Sequence, residues 1–113
     1  MPSTEMRIFV YGTLLDPALV TRLTGQRAML QPALLDGFRR VRLRGTPYPT
    51  LAPGRGIVCG ALLLTDRRGF RCLHAYEGRR YRLIRVHPRV AGSRDTVDAH
   101  AWIASGATKL PWP

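Results

Sequence analysis

Apolar and polar positions recur with two different periods along this chain, and the changes of period mark its elements. Residues 7–11 are rich in Ile, Phe, Val and Tyr, the composition of a short strand. Gly12 and Thr13 break it. Asp16-Pro17 then reads as a helix start, with aspartate as N-cap and proline at the first helical position. Leu15, Leu19, Val20 and Leu23 follow at helical spacing, and Gly25 is the expected stop. Over residues 38–44 the period drops to two: Val41 and Leu43 face one way, Arg40, Arg42 and Arg44 the other. The prolines within residues 45–53 predict a loop with an extended piece at most. Residues 56–65 have no polar face. Ile57, Cys59, Ala61 and Leu63 lie on one side and Val58, Leu62 and Leu64 on the other, which predicts a central strand covered on both faces.

Asp66 is placed to cap a second short helix, on which Phe70, Leu73 and Glu77 fall at i, i+3 and i+7 and share the inward face. Two more strands are predicted over residues 81–90 and 96–104, around the turn Gly92-Ser93, with Val97, Ala99, Ala101 and Ile103 on one face. Residues 105–113 read as a loose or surface-docked tail. The series lacks alternating strand-helix-strand units. It predicts an α+β fold: a small, mostly antiparallel β-barrel of five or six strands with two short flanking helices.

Length and composition narrow the picture. A chain of 113 residues is expected to form a single domain, with its core over residues 7–104 and the tail beyond. Residues 1–6 do not read as a signal peptide, and the longest nearly apolar run, 57–64, is far short of the roughly 20 residues of a spanning helix. A soluble cytoplasmic protein without a membrane partner is expected. Cys59 and Cys72 have no metal-ligand spacing, so no metal site is suggested, and Cys59, inside the apolar run, is expected to be a buried small hydrophobe. The formal charge of +11 raises a nucleic-acid reading. All but one of the 18 basic residues are arginine, however, and the arginines are dispersed along the chain. The strand carrying Arg40, Arg42 and Arg44 lacks interleaved aromatics for stacking bases. A solvated arginine face is expected there, and no nucleic-acid partner.

Two segments carry the candidate chemistry. After the first strand, the turn at Gly12, Thr13 and Leu14 can aim successive N–H groups at one spot, a concavity suited to an anion or a carbonyl oxygen. Asp16 occupies the N–H groups of the following helix, so an anion is expected on the loop rather than on that helix end. The second element is Glu77, one of only two glutamates in the chain. Its inward position beside Phe70 and Leu73 suits a carboxyl whose pKa is raised by burial into the range of a working base. An ion pair with Arg79, Arg80 or Arg82 is the competing reading of the same residue.

Phe9-Val10-Tyr11-Gly12-Thr13-Leu14, followed by Ala75-Tyr76-Glu77-Gly78-x-x-Tyr81-Arg82, resembles the gamma-glutamylcyclotransferase-like family. So do Asp36-Gly37-Phe38, Tyr48-Pro49, Cys59-Gly60-Ala61-Leu62 and Ala101-Trp102, so that the resemblance runs over residues 7–104. It implies a small β-barrel with flanking helices and a pocket at one end. It also implies an activity on gamma-glutamyl amines, amides or peptides, in which the substrate's α-amino group attacks its own side-chain carbonyl, forming 5-oxoproline and releasing the amine.

Carried over by position, the resemblance has Tyr11, Gly12, Thr13 and Leu14 holding the glutamyl moiety, largely through backbone donors. Glu77 is then the proton acceptor and later donor. Tyr81 either bonds the carboxylate or substrate through its hydroxyl or is a core residue at a strand start. The partner implied is a small-molecule gamma-glutamyl substrate, and no metal or organic cofactor is required. Many relatives have aspartate where this chain has His74. A charged His74 reaching Glu77 lowers the pKa of the glutamate and weakens it as a base. The alternative is a catalytically silent module of the same fold that binds a small acidic metabolite.

Overall fold

β1 (Met6–Val10) is apolar on both faces, and its side chains divide between two cores: Ile8 and Val10 join one, Phe9 the other. The structure, a computed structural model, describes residues 5–104 and 109–111. After β1 come a single 3-10 turn (Thr13–Leu15), α1 (Pro17–Thr24), β2 (Met29–Leu43), β3 (Pro49–Thr65), α2 (Arg67–Glu77), β4 (Tyr81–Val86), β5 (Arg89–Val90), β6 (Ala99–Ala104) and β7 (Lys109–Pro111). They build one 7-stranded sheet in the order β4-β6-β1-β3-β2-β5, with β7 on β2. Every pairing is antiparallel except β1 with β6.

Both helices cover one face of the sheet. There Val20 of α1 and Leu73 of α2 pack on Ile8, Val10, Ala61, Leu63 and Trp102. On the other face the sheet folds over itself, and Phe9, Leu35, Leu51, Leu62, Val86 and Ile103 gather from five strands into one cluster. The predicted alternation of Val58 and Leu62 against Ala61 and Leu63 is present. Ile57 and Cys59 are exposed instead of buried, because the helices reach over only the later half of β3.

The predicted barrel is not closed. β4 and β5 form the two ends of the strand order, yet only His87 and Pro88 separate them along the chain. From Val86 to Arg89 is three steps of chain, at most about 11 Å, so the sheet must curve until its ends come close. Pro88 has no N–H to continue a ladder, and its carbonyl accepts instead from Val97 N at 2.8 Å. The predicted strand over residues 81–90 is therefore two strands at opposite ends of an open, curved sheet.

β2 and β3 are much longer than the alternation of polarity suggests, at 15 and 17 residues. Their ladder runs from Met29↔Leu64 to Arg42↔Pro49, interrupted between Asp36 and Phe38, where Gly54, Arg55 and Gly56 stand opposite Gly37. Pro49 begins its strand and Pro53 borders the bulge, two places where a missing N–H is tolerated. Arg40 and Arg42 depart from the predicted solvated face. Arg40 lies opposite the fully buried Leu51 and donates from Nη2 to the Cys59 carbonyl at 3.0 Å, and the Nε atoms of both arginines are buried. Of the predicted tail, residues 109–111 form β7 on β2; Trp112 lies outside the described residues.

Candidate active site

The end of β1 and the end of α2 meet at one cavity of about 230 Å³. On the β1 side, Tyr11 is buried, and its hydroxyl donates to the backbone carbonyl of Trp102 in β6. Burial pushes the Tyr11 phenol well above its usual range. Gly12 follows with φ −132°, so the turn does not use a left-handed backbone. Glycine is favoured here by space: a Cβ would come 3.0 Å from Pro49 Cγ. The chain then enters the 3-10 turn, closed by Leu15 N to the Gly12 carbonyl at 3.0 Å and Asp16 N to the Thr13 carbonyl at 3.1 Å. The predicted donors thus open a helical turn instead of a free loop, and the first N–H groups of such a turn have no partner within it. As expected, Asp16 caps α1, accepting from Ala18 N at 3.0 Å.

α2 is fixed at its start and along its middle. The Asp66 carboxylate accepts from Gly69 N at 2.8 Å and from Gln26 Nε2 at 3.2 and 3.1 Å, tying the helix to the segment after α1. Leu73 is fully buried beneath it. Glu77, one turn further on the same face, is the last helical residue and lines the cavity together with Tyr11, Gly12, Thr13, Leu14 and Tyr81. The sequence-predicted site residues are therefore brought together in one cavity.

Burial alone pushes the Glu77 carboxyl up to about 7. The ion pairs among the described residues join His87 to Asp98 and Arg89 to Asp36, and none reaches Glu77. His74 is likewise turned away from it: its Nδ1 accepts the Trp102 indole N–H at 3.0 Å. The Tyr81 hydroxyl donates to the Pro49 carbonyl at 3.3 Å. Burial, then the nearby Glu77, raises the pKa of that phenol. Among the described residues no group of three or more His, Cys, Asp or Glu side chains is arranged to hold a metal ion.

Tyr48, Pro49, Tyr76 and Trp102 also line the cavity and were not predicted as site residues. Tyr48 and Tyr76 are exposed for large aromatics, at 50% and 42%, and stand at its solvent side. Tyr48-Pro49 and Ala101-Trp102 entered the sequence reading only as matching segments of the resemblance, and a bulky indole among the alanines of β6 marks a packing contact without saying against what.

Comparison with known proteins gives the same fold. An Arabidopsis thaliana protein solved in solution superposes with a TM-score of 0.81, is 26% identical, and matches over 90% of this chain and 70% of its own. A solved gamma-glutamyl cyclotransferase superposes with a TM-score of 0.80 over 94% of this chain and 70% of its own; at 15% identity that likeness is one of fold. AIG2-like protein A of Arabidopsis thaliana is 33% identical over 81 residues, covering 70% of this chain and 49% of that protein. The chain thus spans about half or less of the length of the curated relatives it matches. The family model for gamma-glutamyl cyclotransferase, AIG2-like, matches residues 8–111, and it is to this family that the chain belongs.

Proposed function

We propose that this protein is a cyclotransferase that releases an amine or peptide from a gamma-glutamyl compound as 5-oxoproline forms. The reading rests on one observation above the others: a carboxyl lifted to about 7 by burial lines the same cavity as the 3-10 turn after β1. Family membership supports the reaction class.

In this reading the glutamyl moiety lies against residues 11–14, its α-carboxylate or developing oxyanion facing the N–H groups that open the turn and have no partner within it. Glu77 takes a proton from the α-ammonium. The freed nitrogen attacks the γ-carbonyl carbon, a C–N bond closes the five-membered ring, and the bond to the leaving nitrogen breaks. Glu77 returns that proton to the leaving nitrogen as its bond breaks, and the second proton that the ring nitrogen must lose passes by the same carboxylate to the departing amine, which leaves as an ammonium; no water is consumed and the products contain every atom of the substrate. Because the attack is intramolecular, holding the chain in attacking shape supplies much of the rate, with effective molarities on the order of 10⁵ to 10⁸ M for such closures. Proton transfer by a carboxyl matched to neutral pH adds about 10² to 10⁴. The leaving amine or peptide exits past Tyr48 and Tyr76.

The test is a panel of gamma-glutamyl amines, amides and peptides assayed for 5-oxoproline, with Glu77→Gln beside wild type. Wild type releases 5-oxoproline, and Glu77→Gln, folded, loses about 10² to 10⁴ of that rate. A gamma-glutamyl compound that raises the melting temperature without being consumed points instead to a binding module.

A further inference from the structure

Trp102 is 3% exposed and lines the cavity, yet its indole N–H finds its acceptor outside the core, on the exposed face of α2. An indole N–H can only donate, so the His74 nitrogen that receives it at 3.0 Å is an acceptor and that ring holds its proton on Nε2. Phe70 stacks on both partners, with ring centroids 5.6 Å from His74 and 5.6 Å from Trp102. The indole is thus gripped at its edge and its face by α2. The backbone carbonyl of the same residue takes the Tyr11 hydroxyl. One residue of β6 therefore joins the helix that carries Glu77 to the strand end that carries Tyr11 and Gly12.

From this geometry we infer that His74 is a positioning residue for the proposed cyclisation: through Nδ1 it fixes the indole of Trp102, one of the aromatic residues that line the cavity with Glu77. The inference rests on the cyclotransferase reading. Among the described residues the Glu77 carboxyl has no hydrogen-bonding or ion-pair partner, so its place is set by the side chains packed around it, and a wall that shifts moves the base relative to the turn at residues 12–14. Removing the acceptor leaves the N–H of this part-buried bond to solvent water, which satisfies the donor but does not hold the ring against α2, so the indole is free to shift at the cavity. His74 itself is exposed and its side chain fills no core space, so its removal acts on the site more than on the fold.

The experiment compares wild type, His74→Ala and His74→Asn, the last placing an amide oxygen close to where Nδ1 accepts. With a gamma-glutamyl substrate that wild type consumes, His74→Ala lowers kcat by about 10- to 100-fold with a smaller change in KM. His74→Asn recovers most of that rate, and all three melt at similar temperatures. Equal loss in both variants, or loss in neither, overturns the inference. If wild type consumes no such substrate, the cyclotransferase reading fails by itself, and ¹⁵N-labelled protein still decides the positioning. The Trp102 indole N–H, identified among the tryptophans by Trp102→Phe, then exchanges slowly with solvent in wild type and His74→Asn and quickly in His74→Ala, where the Gly12 and Thr13 amide signals also move. An indole signal indifferent to His74→Ala overturns the inference.

Discussion

The side-chain hydroxyl of Thr13 lies 3.1 Å from that of Tyr76. Thr13 follows Gly12 and Tyr76 precedes Glu77, so the two separated motifs touch directly at the rim of the cavity. A single exposed hydrogen bond contributes only about 0.5 to 1.5 kcal/mol. Its value here is geometric: it joins the two walls of the cavity in which the proposed substrate lies.

The elevated carboxyl of Glu77 makes rate and stability respond to pH in opposite directions. In the proposed role of base it must be ionised, so kcat/KM for the proposed reaction rises with pH through a midpoint near 7. Stability falls over the same interval. Between the ordinary value of 4.5 and the folded value of about 7 the unfolded chain has already lost this proton and the folded one retains it, so the penalty grows across that window and levels off above it. Its full size is on the order of 3 kcal/mol. Urea denaturation at several pH values checks this: wild type weakens from pH 4.5 to 7, while this component is missing from Glu77→Gln.

Tyr11→Phe keeps the ring and removes the hydroxyl that the Trp102 carbonyl accepts. The loss of this buried bond costs about 1 to 3 kcal/mol, read as a lower denaturation midpoint with an unchanged slope. Because the same contact holds the strand end against β6, the proposed 5-oxoproline release falls as well. A fully stable, fully active Tyr11→Phe contradicts this assignment.

Gly60→Ala tests the packing of β3 on β1. A Cβ at this position would fall 2.3 Å from the Val10 carbonyl oxygen and 2.8 Å from Phe9 Cζ, and the first is backbone that cannot swing aside. Relieving it requires the central ladder to separate at the strand end that carries Tyr11. The expected loss is about 3 kcal/mol, the upper part of the range for overpacked cores, measured by urea or thermal unfolding.

Much of this arrangement is legible residue by residue. Asp16-Pro17, Gly25 and Asp66 bound their helices through contacts within a turn of chain, so neighbours in sequence are enough to read them. The two-faced run through Val58 and Leu63 announces a central strand because apolarity on both sides admits little else. The shared face of Phe70, Leu73 and Glu77 follows from helical period alone. Where the sequence reading departs from the structure, long-range pairing prevails over local pattern. Residues 49–53, inside the predicted loop, become strand once the β2–β3 ladder pairs them, and the same ladder extends β2 back to Met29. Cys59 sits in an apolar run and is exposed because no helix reaches it.

By itself, the chain determines an α+β fold with two capped helices, and it supplies one carboxylate on an inward helical face and a glycine turn after the first strand, since caps, period and turn residues act over a few positions. Tertiary structure alone decides that these pieces border one cavity, that the curved sheet stays open at Pro88, and that His74 is bonded to Trp102 instead of Glu77. Those outcomes depend on which distant surfaces pack together, and a desolvated carboxyl exists only once its neighbours from other strands are in place.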